Sequence, residues 1–354
     1  MSPGGEMLAA VYRGPADLRV ERIPVPVPGA GEILVRVDAC GVCGTDVKKI
    51  QKGLLRAPRV FGHEIAGTVA RVGARVTRFR EGDRVALHHH VPCGDCFYCR
   101  LGVYAQCAGY KRNGTSAGFE AAGGGFAEFV RASDWIVERG AIPIPDGVGP
   151  DEAAFVEPLN TCLKAVQRAG VERGQTVLVV GQGPIGVLLM QLARWSGARV
   201  LVSDTIPERL SLSRELGADV ALDASGDVAS EVRGLTEGRG VDRALVAALG
   251  QAPMDQAIAA VRPGGRVLVF AATSPGERAE VDFGALCAAE KEIVTSYSAS
   301  VDVQDLAARL IFQREIRVRE LISHRFFLEE APEAFLTASR PAPDVMKVML
   351  QRGG

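Results

Sequence analysis

Along this 354-residue chain the rhythm of apolar and polar positions changes once, near residue 153. Before that point, short stretches alternate apolar and polar side chains: Glu32–Val37 (EILVRV), Ile65–Val72 (IAGTVARV) and Arg84–Leu87 (RVAL). Alternation sends successive side chains to opposite faces of a sheet, so this part is expected to be β-rich. Gly and Pro interrupt the stretches, and residues 23–31, IPVPVPGAG, read as an extended connector. After residue 153 a helical apolar stretch, 153–169, leads into TVLVV at 176–180. Helices at 184–195, 207–216, 227–235 and 253–261 then alternate with strands at 198–204, 218–223, 241–249 and 264–272. These strands are continuous apolar runs, the pattern of a parallel sheet covered on both faces. Such alternation predicts a doubly wound α/β domain over residues 155–298. The remainder, 299–354, adds a helix at Val303–Gln313 and two short strands, which either return to the first domain or cap the second.

Composition narrows the class. Hydrophobic residues make up 47% and charged residues 23%, enough apolar material for two cores. The net charge of -1, without a basic tail, argues against nucleic acid as a partner. No run of 18 apolar residues is present, so no spanning helix is expected and no membrane partner. The start, MSPGGEMLAAVYRG, lacks the pattern of a secretion signal, which leads to a cytoplasmic expectation. In a reducing compartment, eight cysteines read as metal ligands before disulfides.

The segment GQGPIG sits between a strand and a helix. Gly181 permits the tight turn, Gly183 lets backbone approach a pyrophosphate, and Gly186 allows close helix packing. Pro184 and Ile185 open the helix, whose positive end would face the phosphates. Asp204 ends the next strand, 18 residues after Gly186, and should accept hydrogen bonds from the adenosine ribose. A carboxylate there repels a 2′-phosphate, so the cofactor expected is NAD rather than NADP. Arg209, one turn into the following helix, either contacts the adenosine side or belongs to a solvated face.

Two groups of residues have the chemistry of metal ligands. Cys93, Cys96, Cys99 and Cys107 can close a tetrahedral shell around one zinc ion; two disulfides or an iron–sulfur cluster are the alternatives. A closed site of that kind holds a loop and does no catalysis. Upstream, Cys43, His63 and Glu64 offer a thiolate, an imidazole and a carboxylate, which leave an exchangeable position on a second zinc. Asp46 is suited to accept from the far nitrogen of His63 and fix its tautomer. Zinc and a dinucleotide on one chain point to hydride transfer with an alcohol or ketone.

GVCGTD (41–46), FGHE (61–64), the four-cysteine lobe, GGGFAEFV (123–130), VEPLN (156–160) and the GQGPIG turn occur in that order. Together they resemble the zinc-dependent medium-chain dehydrogenase/reductase superfamily, most of all its polyol branch of sorbitol and L-iditol dehydrogenases, with threonine dehydrogenase close behind. The resemblance implies a GroES-like β-rich catalytic domain over 1–154, a Rossmann NAD-binding domain over 155–298, and a tail, 299–354, returning to the first. It implies an active site in the cleft between domains, two zinc ions per chain, and a homodimer or homotetramer. Cys43 and His63 map as catalytic zinc ligands; Glu64 and Glu157 both map to the metal site, and which one binds at rest stays open. Thr45 would take the substrate proton and pass it on. The substrate would be a small secondary alcohol, with pocket walls near 45–60, 110–125 and 290–300, polar enough here to favour a polyol, cyclitol or amino-alcohol. Lys48 departs from the family, which usually carries a relay histidine there; either protons leave through water or Lys48 is a solvated side chain. A regulatory protein that binds NAD without turnover, and a zinc-free quinone reductase-like relative, are the rival readings.

Other reactive residues are expected to be structural. His88, His89 and His90 should alternate faces and so cannot all bind one ion; the role open to them is a wall near the zinc lobe. Cys40, Cys162, Cys287 and Trp195 are expected to pack in cores, and His324 to be structural.

Overall fold

The computed structural model describes residues 5–353 except 111, 120, 122, 271–275, 277 and 341, and its two compact units divide at Asn160/Thr161 and Ala299/Ser300. Ala271 and Ala272 of the expected strand 264–272, and Lys111, Glu120 and Ala122 of the expected pocket wall, therefore lie outside the described residues.

The first unit is built on an eight-stranded sheet. Its main path runs Ile322–Phe327, Lys347–Gln351, Ile33–Gly41, Glu64–Val72, Arg84–Leu87, Ala141–Pro143. Phe129–Ala132 also pairs with Ile33–Gly41, and Thr115–Ser116 pairs with Phe129–Ala132. A smaller sheet joins Asp17–Pro24, Glu6–Gly14 and Arg59–Val60. The tail belongs to this unit: Lys347–Gln351 lies antiparallel to Ile33–Gly41, with Met349 opposite Gly41. On the other side of Ile33–Gly41, Glu64 is the residue opposite Gly41. Tail residues Leu328, Phe335, Val348 and Leu350 join Tyr12, Ile33, Phe61 and Phe126 in one buried core. The helix Ala331–Ala338, absent from the sequence expectation, supplies Phe335; Pro332 stands in its first turn, and Ala331, Ala334 and Phe335 form its buried stripe. Buried Glu152 ties the tail down further, taking Arg319 at 2.6 Å and Arg314 at 3.4 Å.

The second unit is a six-stranded parallel sheet in the order Val220–Asp223, Arg199–Asp204, Thr176–Val180, Val241–Val246, Val261–Val269, Glu292–Thr295. Counted along the chain this is 3-2-1-4-5-6, the Rossmann order. Leu178, Leu201, Ala244 and Val267 at its centre are fully buried, which is why those strands read as unbroken apolar runs.

Three local expectations change. The helix anticipated at 153–169 is two helices, Pro150–Ala153 and Val156–Ala169, so Glu157 falls in the first turn of the second. Trp195 is 41% exposed rather than packed, because it ends the helix Pro184–Trp195 beyond its buried run Gly186–Ala193. Cys287 is exposed as well; in the short helix Phe283–Ala288 only Leu286 is buried. No helix among the described residues is long and apolar enough to cross a membrane.

Candidate functional site

The four cysteines of the lobe meet at one point. Their sulfurs lie within 4.8 Å of one another, with Cys96 Sγ 3.5 Å and Cys93 Sγ 3.8 Å from Cys99 Sγ. Disulfide sulfurs sit about 2.05 Å apart, and these four are unbridged. Zinc–sulfur bonds of about 2.3 Å give a tetrahedral edge of about 3.8 Å, so the spacing fits a metal and not disulfides. Backbone N–H groups of Asp95 and Cys96 pull the Cys93 thiol down to about 6, while burial and the neighbouring Cys96 push Cys99 up to about 12. Cys93 N–H in turn points at Cys107 Sγ, 3.3 Å away. The lobe around them is thin, with Cys99, Cys107 and Tyr110 its buried members.

The second cluster unites Cys43, His63 and Glu64, whose ligand atoms also fall within 4.8 Å of one another. Cys43 is the N-cap of the helix Gly44–Lys52, and its sulfur accepts the Thr45 N–H at 3.4 Å. His63 and Glu64 follow Gly62, whose φ of 90° turns the chain toward the site and whose missing side chain leaves room for Phe126. Asp46, one turn into the helix and 2% exposed, places Oδ2 3.0 Å from His63 Nδ1. Burial alone would lower the His63 pKa; the Asp46 carboxylate and Cys43 hold it well above 6.5. Burial would likewise raise Asp46, and His63 keeps it below its ordinary value. Groups that favour a proton on this imidazole favour a metal cation in its place, so the donor set suits zinc.

Two carboxylates border the site and differ in their partners. Glu64 is ion-paired with buried Lys347, a residue the sequence reading did not single out. Burial pushes the Lys347 pKa down, but Glu64 and Cys43 outweigh it and raise the value. Gly41 lies between them: a Cβ there would overlap both the Glu64 carboxylate and the Lys347 chain. Glu157, outside the tight trio, is buried, and burial pushes its carboxyl up to about 7 against the pull of His63. Its Oε1 lies 3.6 Å from His89 Nδ1.

Thr45 and Lys48 are half-buried on the helix Gly44–Lys52. His88, His89 and His90 are all buried, and neighbouring rings run from His63 through His89 and His90 to Tyr110 at centroid spacings of 4.7, 4.0 and 5.0 Å. The run lies past the end of the strand Arg84–Leu87, and its consecutive rings are 5.9 and 4.0 Å apart, so it does not alternate faces as expected and lines a wall between the two clusters; Cys40 and Cys162 are buried as expected.

In the second unit Gly181 has φ 88°, and a Cβ on Gly186 would collide with the Gly181 carbonyl. Gly183, the N-cap before Pro184, has open space where a Cβ would go, the cradle a pyrophosphate needs. Ile185 follows Pro184 in the first turn. Asp204 accepts the Gln182 N–H at 2.5 Å and the Ile206 N–H at 2.9 Å, while Arg209 Nη1 stands 4.0 Å from it.

The chain is similar to known proteins along its length. Residues 29–146 match the alcohol dehydrogenase GroES-like domain, and residues 184–313 the zinc-binding dehydrogenase family. The sorbitol dehydrogenase of Gallus gallus is 33% identical over 367 residues, covering 99% of this chain and 98% of that protein. A zinc-binding dehydrogenase of Sinorhizobium meliloti 1021 bound to NADP superposes with a TM-score of 0.88 at 30% identity, covering 98% of this chain and 99% of that one. An alcohol dehydrogenase of Escherichia coli CFT073 complexed with NADH gives a TM-score of 0.87 at 27% identity, with coverage of 98% and 100%. Matched by both family models and by a full-length relative at 33% identity, the chain belongs to the zinc-dependent medium-chain dehydrogenase/reductase superfamily, in its polyol dehydrogenase branch, and is an oxidoreductase of the alcohol dehydrogenase type.

Proposed function

We propose that the protein is an NAD-dependent dehydrogenase that reversibly oxidises a secondary alcohol of a polyol, cyclitol or sugar-like substrate to a ketone. The observation that carries the reading is the trio Cys43, His63 and Glu64 with Asp46 behind the imidazole. When bound, zinc supplies Lewis acidity to an alcohol oxygen and NAD supplies the hydride acceptor. Asp46 accepts the Nδ1 proton of His63 and so turns the Nε2 lone pair to the metal side. Lys347 offsets the charge of Glu64, and Glu157 is the second carboxylate available to the metal. Thr45, two residues from Cys43, takes the substrate proton at its hydroxyl and hands it outward. Cys93, Cys96, Cys99 and Cys107 hold the second, structural zinc.

For the cofactor, Asp204 supports NAD: two backbone N–H groups fix its carboxylate at the strand end, where it repels a 2′-phosphate. Arg209 is the feature that would favour NADP, and its pairing with Asp204 weakens it in that role. The assembly is a homodimer or homotetramer, and the setting cytoplasmic.

The test is metal content and turnover on one preparation. Purified without chelator, the protein should carry two zinc ions per chain and reduce NAD⁺ in preference to NADP⁺ on one class among polyols, cyclitols, threonine and simple secondary alcohols. Two zinc ions without turnover on any of these would favour an NAD-binding regulatory protein. One zinc, lost on Cys96→Ser and kept on Cys43→Ser, would end the dehydrogenase reading.

A further inference from the structure

The histidine run does more than fill space. Its main chain is pinned from both sides: His88 N–H donates to the Gly140 carbonyl at 2.7 Å, the His89 carbonyl accepts from Thr115 N–H at 3.3 Å, and His90 bridges to Gly114. The main chain is thereby fixed, and burial of all three side chains limits how far the rings can turn. The His89 side chain is 9% exposed, and its ring lies 4.7 Å from that of His63. Its Nδ1 is buried and has no hydrogen-bond partner among the described residues. The polar atom in front of it is Glu157 Oε1, at 3.6 Å, a few tenths of an ångström beyond hydrogen-bond reach. A buried donor left short of the carboxylate in front of it carries a penalty that closing the gap removes. The tautomer with its proton on Nδ1 is the one that puts a donor against the carboxylate.

We infer that His89 is a positioning residue of the metal site: its Nδ1–H holds one oxygen of Glu157 and turns the other toward the ion bound by Cys43 and His63. The inference rests on the metal site proposed above and deepens it. It separates the two carboxylates by what engages them. Lys347 holds Glu64, whereas a neutral imidazole would hold Glu157 and leave its charge to the metal. Histidine and carboxylate then form a relayed pair in the sense opposite to Asp46 and His63, with the carboxylate as ligand and the imidazole as its support.

Two substitutions that keep the position polar separate this role from packing. In His89→Asn the amide nitrogen falls close to the place of Nδ1; in His89→Gln it reaches the place of Nε2 and leaves the Nδ1 position empty. Zinc affinity measured by chelator competition, and the visible spectrum of the cobalt-substituted protein, report on the site without turnover. His89→Gln should weaken the catalytic-site metal about 10–100-fold and shift the cobalt bands, while the lobe zinc stays. His89→Asn should restore most of the affinity and the wild-type spectrum. In a Glu157→Ala background the Gln substitution should add nothing, because the support has lost what it supports. Wild-type affinity and spectrum in His89→Gln, or the same loss with and without Glu157, would overturn the inference while leaving the two-zinc dehydrogenase standing. A wild-type chain that binds zinc in the lobe alone would overturn both.

Discussion

At the scale of single residues, the position with the least side chain constrains the site most. Gly41 sits in register with Glu64 across one strand pair and with Met349 across the other, and the room a methyl would need is filled by Glu64 and Lys347. Gly41→Ala should push this buried ion pair apart. Splitting such a pair leaves two uncompensated charges in a dry place, at a cost of about 3–5 kcal/mol. The expected result is a lower melting temperature and weaker catalytic-site zinc, with the lobe zinc intact. Wild-type melting and full zinc content in Gly41→Ala would refute the steric argument. The same pair marks where sequence reading stopped. Cys43, His63 and Glu64 could be singled out because their side chains are of metal-ligand type and because GVCGTD and FGHE carry the resemblance. Lys347 gave a weaker signal, a cation between the apolar residues Met346 and Val348, and its partner became visible only through the register of strands far apart in sequence. His89 was legible as chemistry but not as a neighbour of Glu157, since spacing says nothing of which rings face which carboxylates.

At the scale of elements, the cysteine lobe is the part least able to hold itself together. Its helical pieces are short, Phe97–Arg100 with four residues and Tyr104–Gln106 with three, and Phe97, Tyr98, Leu101 and Val103 are at least 40% exposed. A segment with so little buried apolar surface is held by its metal or not at all. Cys96→Ser should release one zinc per chain and open the lobe to protease cleavage within 93–110, while the parallel sheet of the second unit keeps its protection. A lobe that resists protease after losing its zinc would mean that packing suffices. The sheet itself shows the other extreme. Its central strands could be placed from sequence because they are buried on both faces and read as apolar runs, whereas the edge strand Glu292–Thr295, only partly buried, was missed. Apart from the resemblance, the tail could not be assigned to a unit, because Lys347–Gln351 looks the same whichever sheet it joins. What decides its place is pairing with Ile33–Gly41 and the fit of Phe335 and Leu350 into the first core.

At the scale of the whole molecule, the buried carboxylate at the metal site should make stability depend on pH in a direction that the metal reverses. Burial pushes Glu157 up from 4.5 to about 7. Its folded-state pKa is thus above its unfolded one, so between the two the folded chain keeps a proton that the unfolded chain has released. The contribution is present in full below about pH 4.5 and is lost as pH rises through about 7, with an upper size of about 3 kcal/mol. Glu157→Gln keeps the shape and removes the titration. With chelator present, the wild type should fall behind the Gln variant steadily from pH 5 to pH 8, and the two should converge below pH 5. The remaining ionisable groups are common to both proteins and largely cancel in the difference. Added zinc should invert the order at pH 8, since the ionised carboxylate then faces a cation instead of a dry cavity. Urea or thermal midpoints of the two proteins at four or five pH values, with and without zinc, measure this directly. Parallel curves in chelator would mean that water reaches Glu157 and keeps its ordinary acidity. An inversion confined to zinc would instead mark Glu157 as a carboxylate that carries charge at a cost to the fold until the metal arrives.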